Sequence, residues 1–553
     1  MDTNRLAELL FGDITETPQQ IEERYPPRQL PEGARVTRMA PSPTGFMHLG
    51  NLFGAIVDER LAHQSGGVFY LRIEDTDLKR AVEGGVEMII DVFQRFGLDF
   101  DEGATVEGDN GNYGPYRQRE RADIYKVFAK KLVQDGRAYP CFCTEEDLEE
   151  MRRQQEAQKE NFGYYGRWAV HRDAALEEIE QNLREGKPYV LRLRSEGDGQ
   201  RRFQLKDAVK GKLDMPWNDQ DVVLLKSDGI PTYHFAHVVD DHLMRTTHVV
   251  RGEEWLATLP IHVELFKALG WKAPNYVHTA QLMKMDGSSK RKLSKRKDPE
   301  LALDFYHKEG YPVECLMEYL MTLLNSNYEE WRMQNPDKDY KEFAFTTNKM
   351  STSGALFDLD KLQDVSKNTM SRMPAAQVYE LALDWSKQYD AELHALLSGD
   401  RDYAVSILNI GRGGKKPRKD FAVLGDVKGY LDFFYDELFQ PVYEYPENVS
   451  KEDCIEILTR YQDIYNEDDD QNDWFNKITE LGVSLGYAAK PKEYKNNPDQ
   501  YKGHVGDISM VLRVAVSGRQ NSPDMYEVMK IIGKERVLSR LRDAAARIEG
   551  ANE

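Results

Sequence analysis

Cysteine is scarce in this sequence, with only four among 553 residues. Cys141, Cys143, Cys315 and Cys454 are too few and too scattered to form a disulfide framework. No apolar run is long enough to span a bilayer, and the first residues lack the basic-then-apolar pattern of a signal peptide. No low-complexity tract is long enough to indicate disorder. These absences predict a folded cytoplasmic protein.

Positive charge is also in deficit. Lys and Arg number 74 against 94 Asp and Glu, so the formal net charge is −20. This balance argues against non-specific adhesion to nucleic acid, but specific docking on a local basic patch stays open because salt limits the reach of each charge to about 10 Å. The length predicts several domains. We expect a monomer, because no coiled-coil heptad or exposed apolar stripe is evident.

An alternation of strand-like and helix-like segments predicts an α/β domain with a parallel, doubly wound sheet. The pattern is interrupted by long charged helices and short strands, and after about residue 300 the chain is expected to be helical. We predict strands at 35–40, 68–73, 221–226 and 247–251 and helices at 52–64, 82–96 and 259–269. The predicted regions are an extension (1–34), an α/β domain (35–100 plus 221–300), an insertion (101–220), a helical domain (301–360) and a helical C-terminal region (361–553).

The first candidate functional segment is RMAPSPTGFMHLGN, residues 38–51, which ends at the start of a predicted helix. Its glycines allow the backbone to approach a ligand, and the helix that follows offers unpaired N–H groups and a positive dipole end. His48 could donate a hydrogen bond to a phosphate, and Asn51 offers an amide donor one turn later. The alternative is a plain turn whose histidine caps a helix.

The second candidate segment is KMDGSSKRKLSKRK, residues 284–297, which carries seven cations among small residues. A loop of this kind can close over a triphosphate and neutralise the charge that develops as pyrophosphate leaves. Lysine ammonium groups suit this task because they are compact point charges. A solvated surface loop is the alternative for a basic cluster taken alone.

Taken together, the two segments resemble the paired HIGH and KMSKS signatures of class I aminoacyl-tRNA synthetases. Here they read HLGN (48–51), which departs from HIGH in its last position, and KLSKR (292–296). Further matches identify the chain as a member of the bacterial-type glutamate–tRNA ligase family. These matches are RIEDTD (72–77), GPYRQ (114–118), DGIPTY (228–233), VVDDH (238–242) and RGEEW (251–255).

The resemblance implies a Rossmann-type class I catalytic domain, an inserted α+β domain that binds the tRNA acceptor end, a stem-contact helical domain and an all-α anticodon-binding region. It implies that ATP and glutamate form glutamyl-adenylate, releasing pyrophosphate, and that the 3′ end of tRNA then takes the glutamyl group, releasing AMP. Mg²⁺ would accompany ATP, held mainly by the phosphates. The substrate partners would be glutamate, ATP and a glutamate-accepting tRNA, with no membrane partner.

The resemblance also assigns catalytic and ATP-binding residues. The catalytic residues would be His48, Asn51, Lys292 and Lys295. ATP would be bound by Gly45, His48, Gly50, Asn51 and Lys295. Since the chemistry needs no side-chain nucleophile, positioning and electrostatics should carry the catalysis.

Charge complementarity predicts an arginine pocket for the carboxylate of a glutamate side chain. By resemblance, Arg38 contacts that carboxylate, and Glu74 holds the substrate's ammonium group. The glutamate site would comprise Arg38, Ala40, Ser42, Glu74, Tyr233, His237 and Arg251. His237 stands where relatives usually carry Asn. The alternative for Arg251 is a structural salt bridge with Glu253 or Glu254.

A possible metal site lies in the predicted insertion. Cys141 and Cys143, followed by Tyr164, resemble a zinc-binding pattern of some family members. The family's fourth ligand would fall at Trp168, which cannot bind metal, and the spacing of His171 does not fit the pattern. Two thiolates alone make a poor structural zinc site, so we predict no metal and two ordinary, partly buried thiols.

Contacts with tRNA are predicted at four arginines. Arg117 and Arg119 are candidates for the acceptor end, together with Arg121, and Arg418 is the candidate for the last anticodon base. A solvated basic turn is the alternative around Arg418. Two rival functions are a glutaminyl-tRNA synthetase and an inactive binding protein. Pro41-Ser42-Pro43 and the helical C-terminal region oppose the first, and the intact lysines of the KLSKR segment oppose the second.

Overall fold

The structure, a computed structural model, describes residues 2–550 and divides them into two compact units. The first unit extends to Phe305 and includes Leu320–Asp358, and the second contains Tyr306–Tyr319 and the residues from Leu359 onward. The strands are β1 (Val36–Met39), β2 (Val68–Leu71), β3 (Glu102–Ala104), β4 (Asp109–Asn110), β5 (Ala138–Cys141), β6 (Val190–Leu193), β7 (Arg202–Asp207), β8 (Gly211–Pro216), β9 (Val223–Leu225), β10 (His248–Gly252), β11 (Asn275–Thr279), β12 (Leu282–Asp286), β13 (Ser289–Lys292) and β14 (Ala355–Leu356).

Helices surround these strands and make up the second unit. Up to residue 309 they are α1 (Thr3–Phe11), α2 (Pro18–Arg24), α3 (Leu49–His63), α4 (Gly85–Arg95), α5 (Ala122–Gln134), α6 (Glu145–Gln158), α7 (Leu176–Arg184), α8 (Tyr233–Leu243), α9 (Leu259–Ala268) and α10 (Leu303–Glu309). They continue with α11 (Val313–Leu324), α12 (Tyr328–Gln334), α13 (Leu359–Arg372), α14 (Ala375–Tyr389), α15 (Ala391–Gly399), α16 (Arg401–Leu408), α17 (Asp426–Leu431), α18 (Lys451–Ile464), α19 (Gln471–Ser484), α20 (Pro491–Asn496), α21 (Val505–Ser517), α22 (Met525–Ile532) and α23 (Lys534–Gly550).

Parallel strands form the centre of the first unit. β1, β2 and β3 pair in parallel, and β10 pairs in parallel with β11. The two sheets meet where the Thr247 N–H donates to the carbonyl of Val36 at 3.0 Å. Most residues of these strands are buried, as expected when helices cover both faces of a parallel sheet. The predicted parallel α/β architecture is therefore confirmed.

The strand predicted at 221–226 does not join that parallel sheet. β9 pairs antiparallel with β6, which in turn pairs antiparallel with β5. The prediction that this segment returns to the α/β sheet is therefore wrong. The sequence pattern could not predict the pairing of β9, because a short apolar run does not indicate which strand it pairs with. The parallel layer resumes at α8 and β10.

A separate antiparallel hairpin is formed by β7 and β8, with Asp207 opposite Gly211 at its closed end. Its strand β7 contacts β11, and the Ala208 N–H donates to the carbonyl of Tyr276 at 2.9 Å. We name residues 202–216 the β7–β8 hairpin. Its closed end therefore rests on a strand of the parallel layer, although the hairpin lies in the region predicted as an insertion.

The N-terminal extension is ordered and packs on the first unit. α1 packs on α5. The carboxylate of Glu22 accepts from Nε2 of His242 at 2.6 Å and from Nη2 of Arg245 at 2.8 Å. The Tyr25 hydroxyl donates to the carbonyl of Gly114 at 2.9 Å. These contacts fasten the extension to the end of α8 and to the GPYRQ segment.

The described residues of the second unit contain helices and no strand, as predicted for the C-terminal region. Their shared core is built from the buried faces of α14, α16, α18, α21 and α23. Tyr306–Tyr319 also belongs to this unit, a grouping that differs from the predicted boundary at residue 301. Among the described helices, none combines the length and apolarity that a bilayer crossing requires.

Candidate active site

The main cavity of the first unit has a volume of about 580 Å³ and opens at the carboxyl ends of β1 and β10. The first turns of α3, the first residue of α8 and the loop that follows β13 complete its wall. Ligand sites are common at this edge of open parallel sheets. The predicted residues that line it are Arg38, Ala40, His48, Gly50, Asn51, Glu74, Tyr233, Arg251, Lys292 and Lys295.

His48 both caps α3 and lines the cavity. Its Nδ1 accepts from the Gly50 N–H at 3.1 Å, and its own backbone N–H donates to Oδ1 of Asn51 at 3.0 Å. A neutral imidazole that accepts at Nδ1 carries its proton on Nε2, which leaves one donor for a ligand. Burial lowers the pKa of His48 to about 4, with a further lowering by Lys295, so the ring is neutral near pH 7.

The KLSKR loop is anchored at its base and exposed at its cations. Arg291 donates to both carboxylate oxygens of Asp298, at 2.6 and 2.8 Å, and the Ser294 N–H donates to the same carboxylate at 2.8 Å. Hydrogen bonds from Arg291 hold the pKa of Asp298 below its ordinary value. Lys292 and Lys295 are exposed and line the cavity. Within residues 2–550, neither ammonium group has an ion-pair partner, so the loop presents both charges to the cavity opposite the start of α3.

Arg38 lies at the base of the cavity with its charge already paired. Its Nε donates to Oδ1 of Asp241 at 3.2 Å, and its Nη1 donates to the carbonyl of Val250 at 3.3 Å. Burial alone would lower the pKa of Arg38, but Asp241 reverses this and raises it. Asp241 also accepts from Nη1 of Arg72 at 2.7 Å. Two buried arginines therefore share one carboxylate behind the cavity.

Arg251, unlike Arg38, is held by two histidines and not by a carboxylate. Its Nε donates to Nε2 of His278 at 3.0 Å, and its Nη1 donates to Nδ1 of His262 at 3.1 Å. Its Nη2 is buried and makes no hydrogen bond to the described residues. The alternative of a salt bridge with Glu253 or Glu254 is not found among residues 2–550, where Glu253 pairs with Lys210 instead. Arg251 therefore brings an unpaired positive charge to the cavity.

Tyr233 and Glu74 complete the polar wall. Arg72 donates to Oε1 of Glu74 at 3.2 Å, and burial raises the pKa of Glu74 against the pull of that arginine. The pKa of Tyr233 is also raised by burial, with Arg251 opposing. Both side chains belong to the cavity lining, together with the backbone of Ala40.

Three other predicted residues lie outside this cavity. Ser42 is exposed and is not part of its lining. Gly45 lines a neighbouring cavity of about 460 Å³, which shares His48 and Lys295 with the main one. His237 stacks behind Tyr233 with ring centroids 5.7 Å apart, and its Nδ1 lies 2.6 Å from Oδ2 of Asp241. His237 therefore meets the site only through its neighbours.

Sequence reasoning missed the buried charges that support the site. The VVDDH segment was noted only as a family match, yet Asp241 holds Arg38 and Arg72. Its neighbour Asp240 accepts from Nε of Arg121 at 2.6 Å. Adjacent acidic residues inside an otherwise apolar helical pattern are a signal of buried ion pairs, because an unpaired buried carboxylate is costly.

The predicted tRNA-contacting arginines make internal contacts. Arg117 donates to Asp109 at 3.0 Å and to the carbonyl of Thr105 at 2.7 Å. The backbone N–H of Arg119 donates to Asp75 at 2.9 Å, and its side chain is partly exposed. In the second unit, Arg418 pairs with Asp420 at 2.7 Å.

The two cysteines of the CFC segment have a third partner in the structure. Nδ1 of His171 lies 3.4 Å from Sγ of Cys143 and 3.7 Å from Sγ of Cys141, and the three ligand atoms lie within 4.8 Å of one another. The hydroxyl of Tyr164 lies 3.3 Å from Sγ of Cys141. A hydrogen bond from Cys143 holds the pKa of the Cys141 thiol below its ordinary value. The prediction of two ordinary, partly buried thiols is corrected in one respect: His171, whose spacing does not fit the family's zinc pattern, lies beside both sulfur atoms.

Comparison with known proteins first defines the class. Residues 35–364 match the family model for the catalytic domain of class I tRNA synthetases (E and Q), and residues 416–545 match an anticodon binding domain. Fold, cavity and matches together define a class I aminoacyl-tRNA synthetase.

Individual relatives narrow this class. The chain is 56% identical over 543 residues to a glutamate–tRNA ligase of Acetivibrio thermocellus, covering 98% of this chain and 100% of the relative. It is 49% identical over 546 residues to one of Clostridium perfringens strain 13, with 98% and 100% covered. The crystal structure of a glutamate–tRNA synthetase from Elizabethkingia anophelis matches with a TM-score of 0.73 at 29% identity, covering 93% of this chain and 100% of that one. The chain belongs to the glutamate–tRNA ligase family.

Proposed function

We propose that this protein attaches L-glutamate to the 3′ end of tRNA through a glutamyl-adenylate, using ATP and releasing AMP and pyrophosphate. One observation carries the proposal. A single cavity contains a capped helix start, two exposed lysines on the facing loop and Arg251, whose guanidinium pairs with no carboxylate of residues 2–550. An anionic amino acid and a triphosphate would each find complementary groups there.

The amino-acid side of the cavity would select glutamate by charge. The unpaired Nη2 of Arg251 is the group best suited to the side-chain carboxylate, with the carboxylate-paired Arg38 and the Tyr233 hydroxyl beside it. Glu74 would hold the ammonium group. Ala40 would form part of the wall, and His237 would act by supporting Tyr233 from behind. Ser42 stays a proposed member of the glutamate site, although it is exposed and does not line the cavity.

Glutamine would be rejected by the same arrangement. Its side chain has the size of glutamate but no charge, so a buried guanidinium would stay uncompensated. Leaving one member of a buried charge pair alone costs about 3–5 kcal/mol, which corresponds to roughly 100-fold or more in affinity. Discrimination of this size needs no editing domain.

The nucleotide side would bind and activate ATP. The Nε2–H of His48 and the amide of Asn51 would donate to the phosphates, with Gly45 and Gly50 allowing close backbone approach. Lys292 and Lys295 would neutralise the charge that develops on the α-phosphate and on the leaving pyrophosphate. Mg²⁺ would enter with ATP, coordinated mainly by phosphate oxygens.

The tRNA contacts also remain proposals. We retain Arg117 and Arg119, both partly exposed, for the acceptor end and Arg418 for the anticodon. Binding of RNA would require Arg418 to exchange Asp420 for a nucleotide. A monomeric, cytoplasmic enzyme is proposed on the sequence grounds given above.

The absence of structural zinc stays a prediction as well. Cys141, Cys143 and His171 supply three of the four ligands that a structural zinc requires, and the remaining neighbour, the Tyr164 hydroxyl, is a poor ligand. Metal analysis of purified protein decides the point. We expect no stoichiometric zinc, and zinc that disappears with Cys143→Ser would contradict this.

Aminoacylation tests the proposed function directly. Purified protein would be given radiolabelled glutamate or glutamine with ATP and either the tRNA for glutamate or the tRNA for glutamine. We expect glutamate to be attached to its own tRNA, and attachment to the glutamine tRNA as well would identify a non-discriminating enzyme. Lys295→Ala should abolish charging, whereas Lys297→Ala, which removes an exposed cation outside the cavity lining, should leave it near the wild-type rate. Glutamine accepted in place of glutamate would contradict the arginine-pocket assignment.

A further inference from the structure

The closed end of the β7–β8 hairpin places a buried carboxylate behind the cavity. Oδ1 of Asp207 accepts from the backbone N–H groups of Val209 and Lys210, at 2.9 and 2.8 Å. Its Oδ2 accepts from the backbone N–H of His278 at 3.2 Å and lies 2.7 Å from Nδ1 of the same residue's ring. Both side chains are fully buried. The turn therefore fixes which oxygen of Asp207 is presented to the histidine.

The hydrogen bonds of Arg251 define the tautomer of His278. A guanidinium nitrogen can only donate, so Nε2 of His278 must be the acceptor of the 3.0 Å bond from Nε of Arg251. The ring proton is then on Nδ1 and is donated to Asp207. Burial lowers the pKa of His278, which agrees with a neutral ring. The three residues thus form a continuous chain of hydrogen bonds, in which Arg251 donates to His278 and His278 donates to Asp207.

A second imidazole supports Arg251 in the same way. Nδ1 of His262 accepts from Nη1 of Arg251 at 3.1 Å, so its proton is on Nε2, which lies 3.0 Å from Nδ1 of His234. The face of Tyr276 lies 4.8 Å below the guanidinium carbon. Neutral rings therefore orient Arg251 on several sides without pairing its charge, in contrast to Arg38.

We propose that Asp207 and His278 form a positioning relay that orients Arg251 toward the side-chain carboxylate of the substrate. This deepens the proposed glutamate pocket and rests on it. His278 supplies the acceptor that holds Nε of Arg251, and Asp207 keeps His278 in the tautomer that can accept. The unpaired Nη2 is thereby directed at the cavity, and the hairpin contributes to the affinity for glutamate without touching the substrate.

Replacement of Asp207 by Asn separates this role from simple packing. The side-chain oxygen would stay on the two turn amides, so the new NH₂ group would face both Nδ1 and the backbone N–H of His278. The ring would then accept at Nδ1 and carry its proton on Nε2, pointing that proton at the N–H of Arg251. Loss of a supporting partner of this kind typically costs about 10- to 100-fold in the function of the group it orients.

The experiment measures KM for glutamate and KM for ATP by aminoacylation at saturating tRNA. We expect Asp207→Asn to raise the KM for glutamate about 10-fold or more, with the KM for ATP within about twofold. Asp214→Asn is the matched control, since Asp214 lies on the same hairpin and forms an exposed pair with Arg202. It should leave both KM values unchanged.

A double-mutant cycle tests whether Asp207 and His278 act on the KM for glutamate together or independently. His278→Gln offers a fixed acceptor to Arg251 without a tautomer, so it should retain a KM for glutamate closer to that of wild type than Asp207→Asn does. In the His278→Gln background, Asp207→Asn should have little further effect, because no tautomer remains to be controlled. Coupling between residues that are in contact is expected for a relay and not for two independent packing defects.

Three results would overturn the relay. Asp207→Asn could behave like Asp214→Asn, it could raise both KM values equally, or its effect could be unchanged in the His278→Gln background. Wild-type protein that charges no glutamate would instead contradict the proposed function itself, and the relay with it. The two failures are therefore distinguished by the wild-type assay alone.

Discussion

The same local motif begins a helix in each unit of this protein. His48-Leu49-Gly50-Asn51 starts α3, and His504-Val505-Gly506-Asp507 starts α21. In both, Nδ1 of the histidine accepts from the glycine N–H two residues later, at 3.1 and 3.0 Å. In both, the histidine N–H donates to the side chain three residues later, at 3.0 Å for Asn51 and 2.7 Å for Asp507.

The difference between the two copies lies in what surrounds them. His48 lines a cavity with Lys292 and Lys295 in its wall, whereas His504 packs beside the ring of Tyr494 at 5.9 Å. Helix capping and ligand binding are therefore compatible uses of one histidine, which engage different ring nitrogens. A His-x-Gly motif predicts a cap, and only its surroundings decide whether it also predicts a site.

The largest expected difference between the two copies is in activity, when His48 or His504 is replaced by asparagine, because this replacement keeps the helix cap and removes the imidazole. Asparagine is a good N-cap residue, so both helices should keep their start. His48→Asn removes the Nε2–H donor and should lower kcat about 100-fold, the usual cost of one preorganised donor to a developing charge. His504→Asn should leave kcat near wild type. Steady-state aminoacylation with an unfolding midpoint for each variant checks this, and equal loss of activity in both would refute the distinction.

Exchange of the residue at the third helical position tests the charge requirement. Asn51→Asp reproduces the His504 copy, in which an aspartate accepts the same bond, so the fold should be unaffected. A new negative charge beside the proposed triphosphate should raise the KM for ATP about tenfold. Asp507→Asn should change neither KM. An unaltered KM for ATP in the first variant would remove Asn51 from the nucleotide site.

Replacement of each glycine by alanine should affect stability more strongly in the His504 copy than in the His48 copy, the opposite order to the effects on activity. A Cβ at Gly506 would lie 2.6 Å from Cε1 of His504, but a Cβ at Gly50 would lie 3.0 Å from Cε1 of His48. Gly506→Ala should therefore displace its imidazole and destabilise the protein by about 1 kcal/mol, the scale of a lost cap. Gly50→Ala should cost less. Denaturant unfolding measures both, and a larger loss for Gly50→Ala would contradict the steric argument.

The smallest expected effect is on the pH dependence of stability, which should differ slightly between wild type and His48→Asn. Its pKa in the folded protein is about 4, below the ordinary 6.5, so the unfolded chain binds more protons between these values. Its contribution to stability is complete above pH 6.5 and is lost as the pH falls toward 4. His48→Asn removes that contribution, so its unfolding midpoint should fall slightly less than that of wild type between pH 7 and 4.5. An identical slope for both proteins would show that His48 is not buried as described.

The parts of the candidate site that could be predicted from the sequence are those whose residues are close together in the chain. The loops of residues 38–51 and 284–297 contain their own turn, cap and charges, so their chemistry could be inferred from neighbouring residues. The strands at β1, β2 and β10 and the helices α3 and α9 were also predicted close to their observed bounds, because a sheet buried on both faces leaves a clear apolar pattern.

The rest depends on residues far apart in the chain. Asp207 and His278 are 71 positions apart, and Arg38 and Asp241 are 203 apart, so no periodicity connects them. His237 was expected in the same pocket by resemblance alone, but its ring stacks behind that of Tyr233. The partner of β9 was mistaken for a similar reason, since pairing is decided by tertiary packing.

The contact between the β7–β8 hairpin and β11 limits how freely this enzyme's parts can be exchanged. A hairpin borrowed from another protein would carry its own residue at position 207, and that residue would have to match the histidine already present at 278. Grafts that respect the surface of the hairpin but not this buried pair would fold and still lose affinity for the amino acid. Under the proposed relay, the β7–β8 hairpin and the proposed glutamate pocket are coupled through this pair, so the residue at position 207 restricts which residues position 278 can accept.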